Sequence, residues 1–253
     1  MARIVPKTPA QLARMRVAGR IVAEALELVR KRAAPSVTTE SLDHMVEELI
    51  LKRGGVPAFK GYRGFPASIC TSLNEQVVHG IPGPRELREG DLLSVDVGVF
   101  YEGYAGDAAV TLEIGECDPE SRRLVRVAWD ALQAALDVVR SGVRVAEISR
   151  AIQQTAEAAG FSVVRKYTGH GIGSRLHEEP QVPNYVEAEA VSGRPVLPRN
   201  ATIAIEPMVN AGTYQVEELS DGWTVVTKDR KRCAHVEHTI AVQDDGPVIL
   251  TSL

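Results

Sequence analysis

SVDVGVFYEGYAGDAAVT, residues Ser94 to Thr111, is two alternating apolar runs around a Gly-containing turn, the pattern of a β-hairpin. Each run carries one aspartate, Asp96 and Asp107, where the alternation asks for a small or apolar residue. Side chains alternate along each strand, and residues directly opposite in an antiparallel pair share a face. Asp96 and Asp107 are an odd number of positions apart, so a two-residue Glu102-Gly103 loop makes them diagonal neighbours on one face. Two carboxylates among Val, Ala and Gly repel and resist ionisation unless a cation lies between them. A solvated hairpin with both aspartates in water is the alternative, and this stretch alone does not choose.

Working outward, a capping box of Thr8 and Gln11 with Pro9 at the first helical position opens a helix. Its apolar residues, from Leu12 and Met15 to Leu26 and Val29, recur at helical spacing, and Pro35 closes it. A second helix runs from about Thr39 to Gly54-Gly55. Strands are expected near 67–72 and 76–79, ahead of the hairpin. After the hairpin the plan repeats. Asp118 caps and Pro119 starts a helix to about Arg140, and another covers about Val145 to Ala159. At one constant offset Pro9 matches Pro119, Arg16-Val17-Ala18 matches Arg126-Val127-Ala128, and Leu26, Val29 and Arg30 match Leu136, Val139 and Arg140. The matches include charged positions that packing does not dictate. The expectation is one domain, 1–253, of two related halves, about 8–112 and 118–242. Each half is two helices followed by strands, and the strands join across the halves into one sheet with helices on its outer face. Further strands are expected near 163–168, 201–206, 223–227 and 233–242, with a hairpin about Asp221-Gly222.

The chain has 253 residues, 44% hydrophobic and 25% charged, as in a globular protein with a sizeable core. A net charge of −4 argues against a general nucleic-acid binder, DNA included. Cys70, Cys117 and Cys233 are widely spaced and odd in number, suggesting neither a disulfide framework nor a zinc motif, and fit a reducing cytosol. The N-terminal residues lack the apolar core of a signal peptide, and no run is long enough to span a membrane, so a cytoplasmic protein is expected.

More polar residues interrupt apolar strands. His170 lies in TGHGIG, where glycine on both sides lets a ligand approach. Glu206 closes ATIAIEP on the face of Thr202 and Ala204. In AHVEHTIAV, His235, Glu237 and Thr239 share one face. His79, in VVHGIPG, precedes Gly-Ile as His170 does. Singly, each has an ordinary explanation as a turn, rim or edge-strand residue. Jointly, Asp96, Asp107, Glu206 and Glu237 interrupt apolar strands with too few cations nearby in the sequence to pair them. Carboxylates with an imidazole suit Mn, Fe, Co or Zn. Four carboxylates are excessive for one ion, whereas two ions about 3.5–4 Å apart use them, lower the pKa of a bridging water and polarise a carbonyl.

The segments FPASICTSLNEQVVHGIPG, SVDVG with GDAAVT, YTGHGIGSRLHEEPQVPNY, ATIAIEPMV and DGWTVVTKDRKRCAHVEHTI together resemble, in order, the motif set of type I methionine aminopeptidases in their short bacterial form. The resemblance covers nearly the whole chain. It implies the pseudo-two-fold α/β "pita-bread" fold, a curved antiparallel sheet covered by two helix pairs. It also implies a dinuclear metal site (Co, Mn, Fe or Zn) and removal of the initiator methionine from nascent polypeptides by a metal-bridging hydroxide, preferentially before a small second residue. By the resemblance Asp96 chelates one metal, Asp107 and Glu237 bridge, and His170 and Glu206 complete the other site. His79 lies beside the substrate amide nitrogen and His177 faces the scissile carbonyl. Bridging needs two oxygens from each ligand, which Asp and Glu have. His170 must be neutral to bind metal, so activity is expected to fail in acid as it protonates. Glu206 is the expected proton shuttle, and His177 the oxyanion stabiliser.

The family's methionine pocket corresponds to Tyr62, Phe65, Cys70, Leu176 and Trp223, with Phe65 and Leu176 in place of the common tyrosine and phenylalanine. From the sequence alone all five are equally well read as core. A monovalent cation, Na or K, held by backbone carbonyls near Asn74, Gln76 and Cys233, and a monomeric state are further implications. The basic run Lys228, Arg230, Lys231 and Arg232 is a solvated loop or a transient ribosome contact through phosphate. A proline-specific peptidase of the same fold and a catalytically dead relative that binds peptide or ribosome are the competing readings. All five ligand positions are intact, which argues against the second.

Overall fold

The structure, a computed structural model, describes residues 4–186 and 195–253. Residues 1–3 and 187–194 of the expected 1–253 domain lie outside the described residues. Helices α1 (Pro9–Arg32) and α2 (Thr39–Lys52) precede the hairpin, and α3 (Pro119–Val138) and α4 (Val145–Ala158) follow it. Thr8 and Gln11 form the reciprocal cap of α1, and Asp118 caps α3 ahead of Pro119.

The hairpin is Leu92–Tyr101 with Tyr104–Glu113. Its turn residues Glu102 and Gly103 have φ of 45° and 79°, the paired positive values of a type I′ turn. Asp96 stands opposite Ala109 and Asp107 opposite Gly98, so the two acids are diagonal on one face. On the other face Leu93, Val95, Val97, Val99, Ala108, Val110 and Leu112 pack against Ile21, Val22, Ala25 and Val29 of α1 and Leu42, Val46 and Ile50 of α2. Helix and strand approach closely at Gly106, where a Cβ would stand 2.7 Å from the Gly19 nitrogen. The second helix pair repeats this arrangement. Leu124, Ala128, Leu132, Ile148 and Ile152 pack on Ile203, Ile205, Ala234, Val236, Ile240 and Val242. The helices therefore take the apolar strand faces, and the polar faces turn the other way.

All strand pairs among the described residues are antiparallel, and the ladder is segmented into four sheets where one was expected. The strand expected over 233–242 is two, Cys233–His235 and His238–Gln243. The one expected over 201–206 ends at Ile205, and 163–168 is reduced to Ser162–Val163 with a separate Thr168–Gly171. The breaks fall at Glu206-Pro207 and Val236-Glu237. Pro207 has no N–H to offer a ladder, and the Glu237 N–H donates instead to the Ala109 carbonyl of the hairpin at 2.9 Å. Two neighbours do the same. Asp107 N donates to Thr239 Oγ1 (3.0 Å), which donates back to the Asp107 carbonyl, and Thr111 Oγ1 donates to the His235 carbonyl (2.8 Å). The polar face of the hairpin, 107, 109 and 111, thus meets 239, 237 and 235. True strand pairing across the halves occurs where Gln76–Val78 pairs with Val225–Thr227.

Candidate metal centre and the cavity over it

That cross-connection brings the scattered acids to one place. Asp107, His170 and Glu237 are buried and each offers a ligand atom within 4.8 Å of the others. His170 Nε2 lies 3.9 Å from Asp107 Oδ2 and 3.6 Å from Glu206 Oε1. Asp96 and Asp107 are close enough to shift each other's carboxyl. Burial pushes the Asp96 carboxyl up to about 7. It pushes Asp107, Glu206 and Glu237 well above the usual carboxylate range too, with repulsion from the neighbouring acids adding to it. Among the described residues, Asp96 Oδ1, Asp107 Oδ1 and Glu237 Oε1 are buried without a hydrogen-bond partner. Orphaned carboxylate oxygens are costly, and a divalent cation would satisfy several at once. The residues therefore fit the cation site their donor types describe.

His170 is set up as a ligand by its neighbour. Its Nδ1 is 2.8 Å from the Gly171 carbonyl, which can only accept, so Nδ1 carries the proton and Nε2 presents its lone pair to the acids. Burial, with the nearby His177, lowers its pKa to about 3, so it stays neutral across the physiological range. The His177 ring packs on His170 with centroids 4.3 Å apart, and its Nδ1 is 2.9 Å from the Tyr62 hydroxyl. His79 has φ of 61°, a left-handed conformation uncommon for a side chain of this size and typical of functional sites. It meets Trp223 edge-on at 6.3 Å, and burial lowers its pKa to about 4.

Every catalytic, divalent-metal and methionine-pocket residue expected from the sequence lines one cavity of about 400 Å³, whereas Asn74, Gln76 and Cys233 do not. Its acidic part is Asp96, Asp107, His170, Glu206 and Glu237. Its apolar part is Phe65, Cys70, Leu176 and Trp223 with Tyr62 at the edge, Phe65 meeting Trp223 edge-on at 5.1 Å. The two parts join at Cys70, whose strand position is directly opposite Asp96. Arg63, Lys166 and Tyr167 also line the cavity and were not singled out. Tyr167 faces His79 edge-on at 5.6 Å. Its position two residues ahead of GHGIG was the available signal, whereas Arg63 and Lys166 read like any solvated cation. His235 was also missed. Its Nε2 is buried, unpartnered among the described residues, 3.9 Å from Glu206 Oε2 and 3.8 Å from Glu237 Oε2. Shared parity with Glu237 in AHVEHTIAV was the signal for it.

The profile of metallopeptidase family M24 matches residues 13–244. The chain belongs to metallopeptidase family M24. Membership makes it a metallopeptidase, a hydrolase. It is 48% identical over 248 residues to methionine aminopeptidase 1 of Bacillus subtilis (strain 168), covering 98% of this chain and 99% of that protein. Its fold matches the crystal structure of methionine aminopeptidase from Thermotoga maritima with a TM-score of 0.96 at 46% identity, covering 100% of both chains. The prolidase from Pyrococcus furiosus shares the fold at 19% identity (TM-score 0.80), with 99% of this chain covering 66% of that one. The family is thus the one that the ordered motifs pointed to, and the pseudo-two-fold α/β architecture is the one they implied.

Proposed function

We propose that the chain removes the N-terminal methionine from peptides and nascent proteins, with Asp96, Asp107, His170, Glu206 and Glu237 holding two divalent cations (Co, Mn, Fe or Zn). The observation that carries this is the set of buried, unpartnered carboxylate oxygens grouped around a histidine whose Nε2 lone pair faces them. When bound, such a pair of cations supplies a nucleophile from water at neutral pH and polarises the scissile carbonyl.

The chain's own groups do the rest. Asp107 and Glu237 would each give one oxygen to either cation, Asp96 would chelate one, and His170 and Glu206 would complete the other. Glu206, whose carboxyl burial keeps above its ordinary range, would take a proton from the attacking water and pass it to the leaving amine. His177, oriented by Tyr62 on Nδ1, would donate from Nε2 to the oxygen on which negative charge develops. His79 would hold the substrate amide nitrogen. Phe65, Cys70, Leu176, Trp223 and the Tyr62 ring give the methionine thioether an apolar, polarizable lining. A small second residue is the expected preference.

Release of methionine from Met-Ala-Ser, compared with proline-containing peptides, tests the proposal after chelation and re-addition of single metals. Metal-dependent methionine release is expected. Metal-independent activity, or cleavage only beside proline, would overturn it.

The same reading includes a cytoplasmic monomer, a single domain of two related halves, and a sodium or potassium ion at the carbonyls near Asn74, Gln76 and Cys233. No helix among the described residues is long and apolar enough to cross a membrane. In the basic run, Arg230 pairs with Glu217 and Arg232 with Asp118, so any phosphate attraction to the ribosome rests on Lys228 and Lys231. Salt-sensitive ribosome cosedimentation that survives K228A/K231A would dispose of that contact.

A further inference from the structure

His235 has no task in the scheme above, although its backbone is fixed from both sides. Its N–H donates to Thr111 Oγ1 (2.8 Å) and its carbonyl accepts from the same hydroxyl, which also lies 2.8 Å from Ser94 Oγ. Its strand partner is Met208, two residues beyond Glu206. The hairpin carrying Asp96 and Asp107 and the segment carrying Glu206 therefore jointly place this imidazole. The side chain is 2% exposed, and it does not line the cavity. It stands behind the acids.

Glu206 lies between two imidazoles. Its Oε1 is 3.6 Å from His170 Nε2, and its Oε2 is 3.9 Å from His235 Nε2. Glu237 Oε2 is 3.8 Å from the same His235 nitrogen. These separations are approaches, not hydrogen bonds, and movement of either carboxylate by about 1 Å would close one. His235 Nε2 has no other partner among the described residues. Leaving a buried polar nitrogen unsatisfied is destabilising.

We propose that His235 is a positioning residue whose Nε2–H holds the outer oxygen of Glu206, leaving its inner oxygen for a cation. The inference rests on the metal-centre reading above. A neutral imidazole suits this task because it orients carboxylates without neutralising them. A lysine or arginine there would pair with the acids and compete with the cations. Hydrogen-bonding partners of this kind raise metal affinity about 10- to 100-fold by fixing the ligands they touch.

The experiment uses the full chain, stripped of metal, with Mn²⁺ and Co²⁺ binding measured by calorimetry and the Co²⁺ form followed by its visible absorption. His235→Leu removes the donor, and His235→Gln keeps one N–H of similar reach. His235→Leu is expected to weaken binding about 10- to 100-fold and to change the Co²⁺ bands. His235→Gln should stay within about threefold of the parent, and the melting temperature of the leucine variant in EDTA should not fall, because an orphaned polar group has been removed. A leucine variant that binds like the parent with unchanged bands would overturn the proposal. So would a glutamine variant that loses about tenfold or more, a result that stands even if the leucine variant does not fold. Absence of Mn²⁺ and Co²⁺ binding by the parent would instead overturn the metal centre, and this inference with it.

Discussion

In one part of the cavity Asp96, Asp107, Glu206 and Glu237 interrupt apolar strands. In the other, Phe65, Cys70, Leu176 and Trp223 are apolar residues among apolar neighbours. The acidic part is costly to fold, since each carboxyl is pushed away from ionisation by burial, by its neighbours or by both. The apolar part contributes to the same core that includes Met15, Ala105 and Ile172. Function in the first opposes stability, and in the second the two coincide. Substitutions should therefore separate them.

The largest effect is expected for Asp107→Ala. It removes the proposed bridging ligand, and kcat/KM should fall by more than the about 100-fold that loss of a supporting partner costs. The metal-free variant should be no less stable than the parent, because one buried repulsion is gone; steady-state kinetics and melting in EDTA check both halves. His177→Ala should cost about 10²–10³ in kcat while the metal Kd stays unchanged, as suits a group that donates only to the developing oxyanion. Leu176→Ala behaves oppositely to Asp107→Ala. Leu176 is 2% exposed, so unfolding should lose about 2–5 kcal/mol, with KM for a methionyl peptide rising more than kcat falls.

The pH dependence divides the two parts again. Carboxyls raised in the fold above their unfolded values stabilise the chain at low pH, and that contribution is lost as pH rises through the folded pKa. The buried histidines have depressed values and act in the opposite sense, but only below their ordinary 6.5. From pH 7 to 8, before the buried and likewise raised Cys70 and Cys233 thiols begin to count, the acids act alone, so the melting temperature in EDTA should fall. A saturating divalent cation should abolish the fall. In the metal-free protein burial lowers the His170 pKa to about 3 and raises that of Asp96 to about 7, so the protons that compete with metal binding on the acid side are expected on the carboxyls before His170. The smallest effect belongs to the hairpin turn. Glu102→Asn places Asn-Gly in a type I′ turn and relieves the left-handed glutamate, adding about 1 kcal/mol or less with activity unchanged.

The acidic part was legible for the reason it is costly. Charge in an apolar strand breaks a pattern, and the parity of 96 and 107 across a two-residue turn gave their shared face without any structure. The capping residues Thr8 and Asp118 fixed both helix starts for a similar reason, as their chemistry is local. The apolar part was not separable from core in the sequence, because a pocket-lining Leu176 and a buried Leu176 obey the same pattern. Only the resemblance to a family singled it out. The strand breaks at 206–207 and 236–237 were also hidden. They depend on where the Glu237 N–H finds its acceptor, and Ala109 is more than a hundred residues away in the sequence.

Anomalous diffraction from crystals soaked in Co²⁺ tests the shared site most directly. Two peaks enclosed by Asp96, Asp107, His170, Glu206 and Glu237 are the predicted result. Cobalt elsewhere on the chain, with these oxygens left bare, would contradict it.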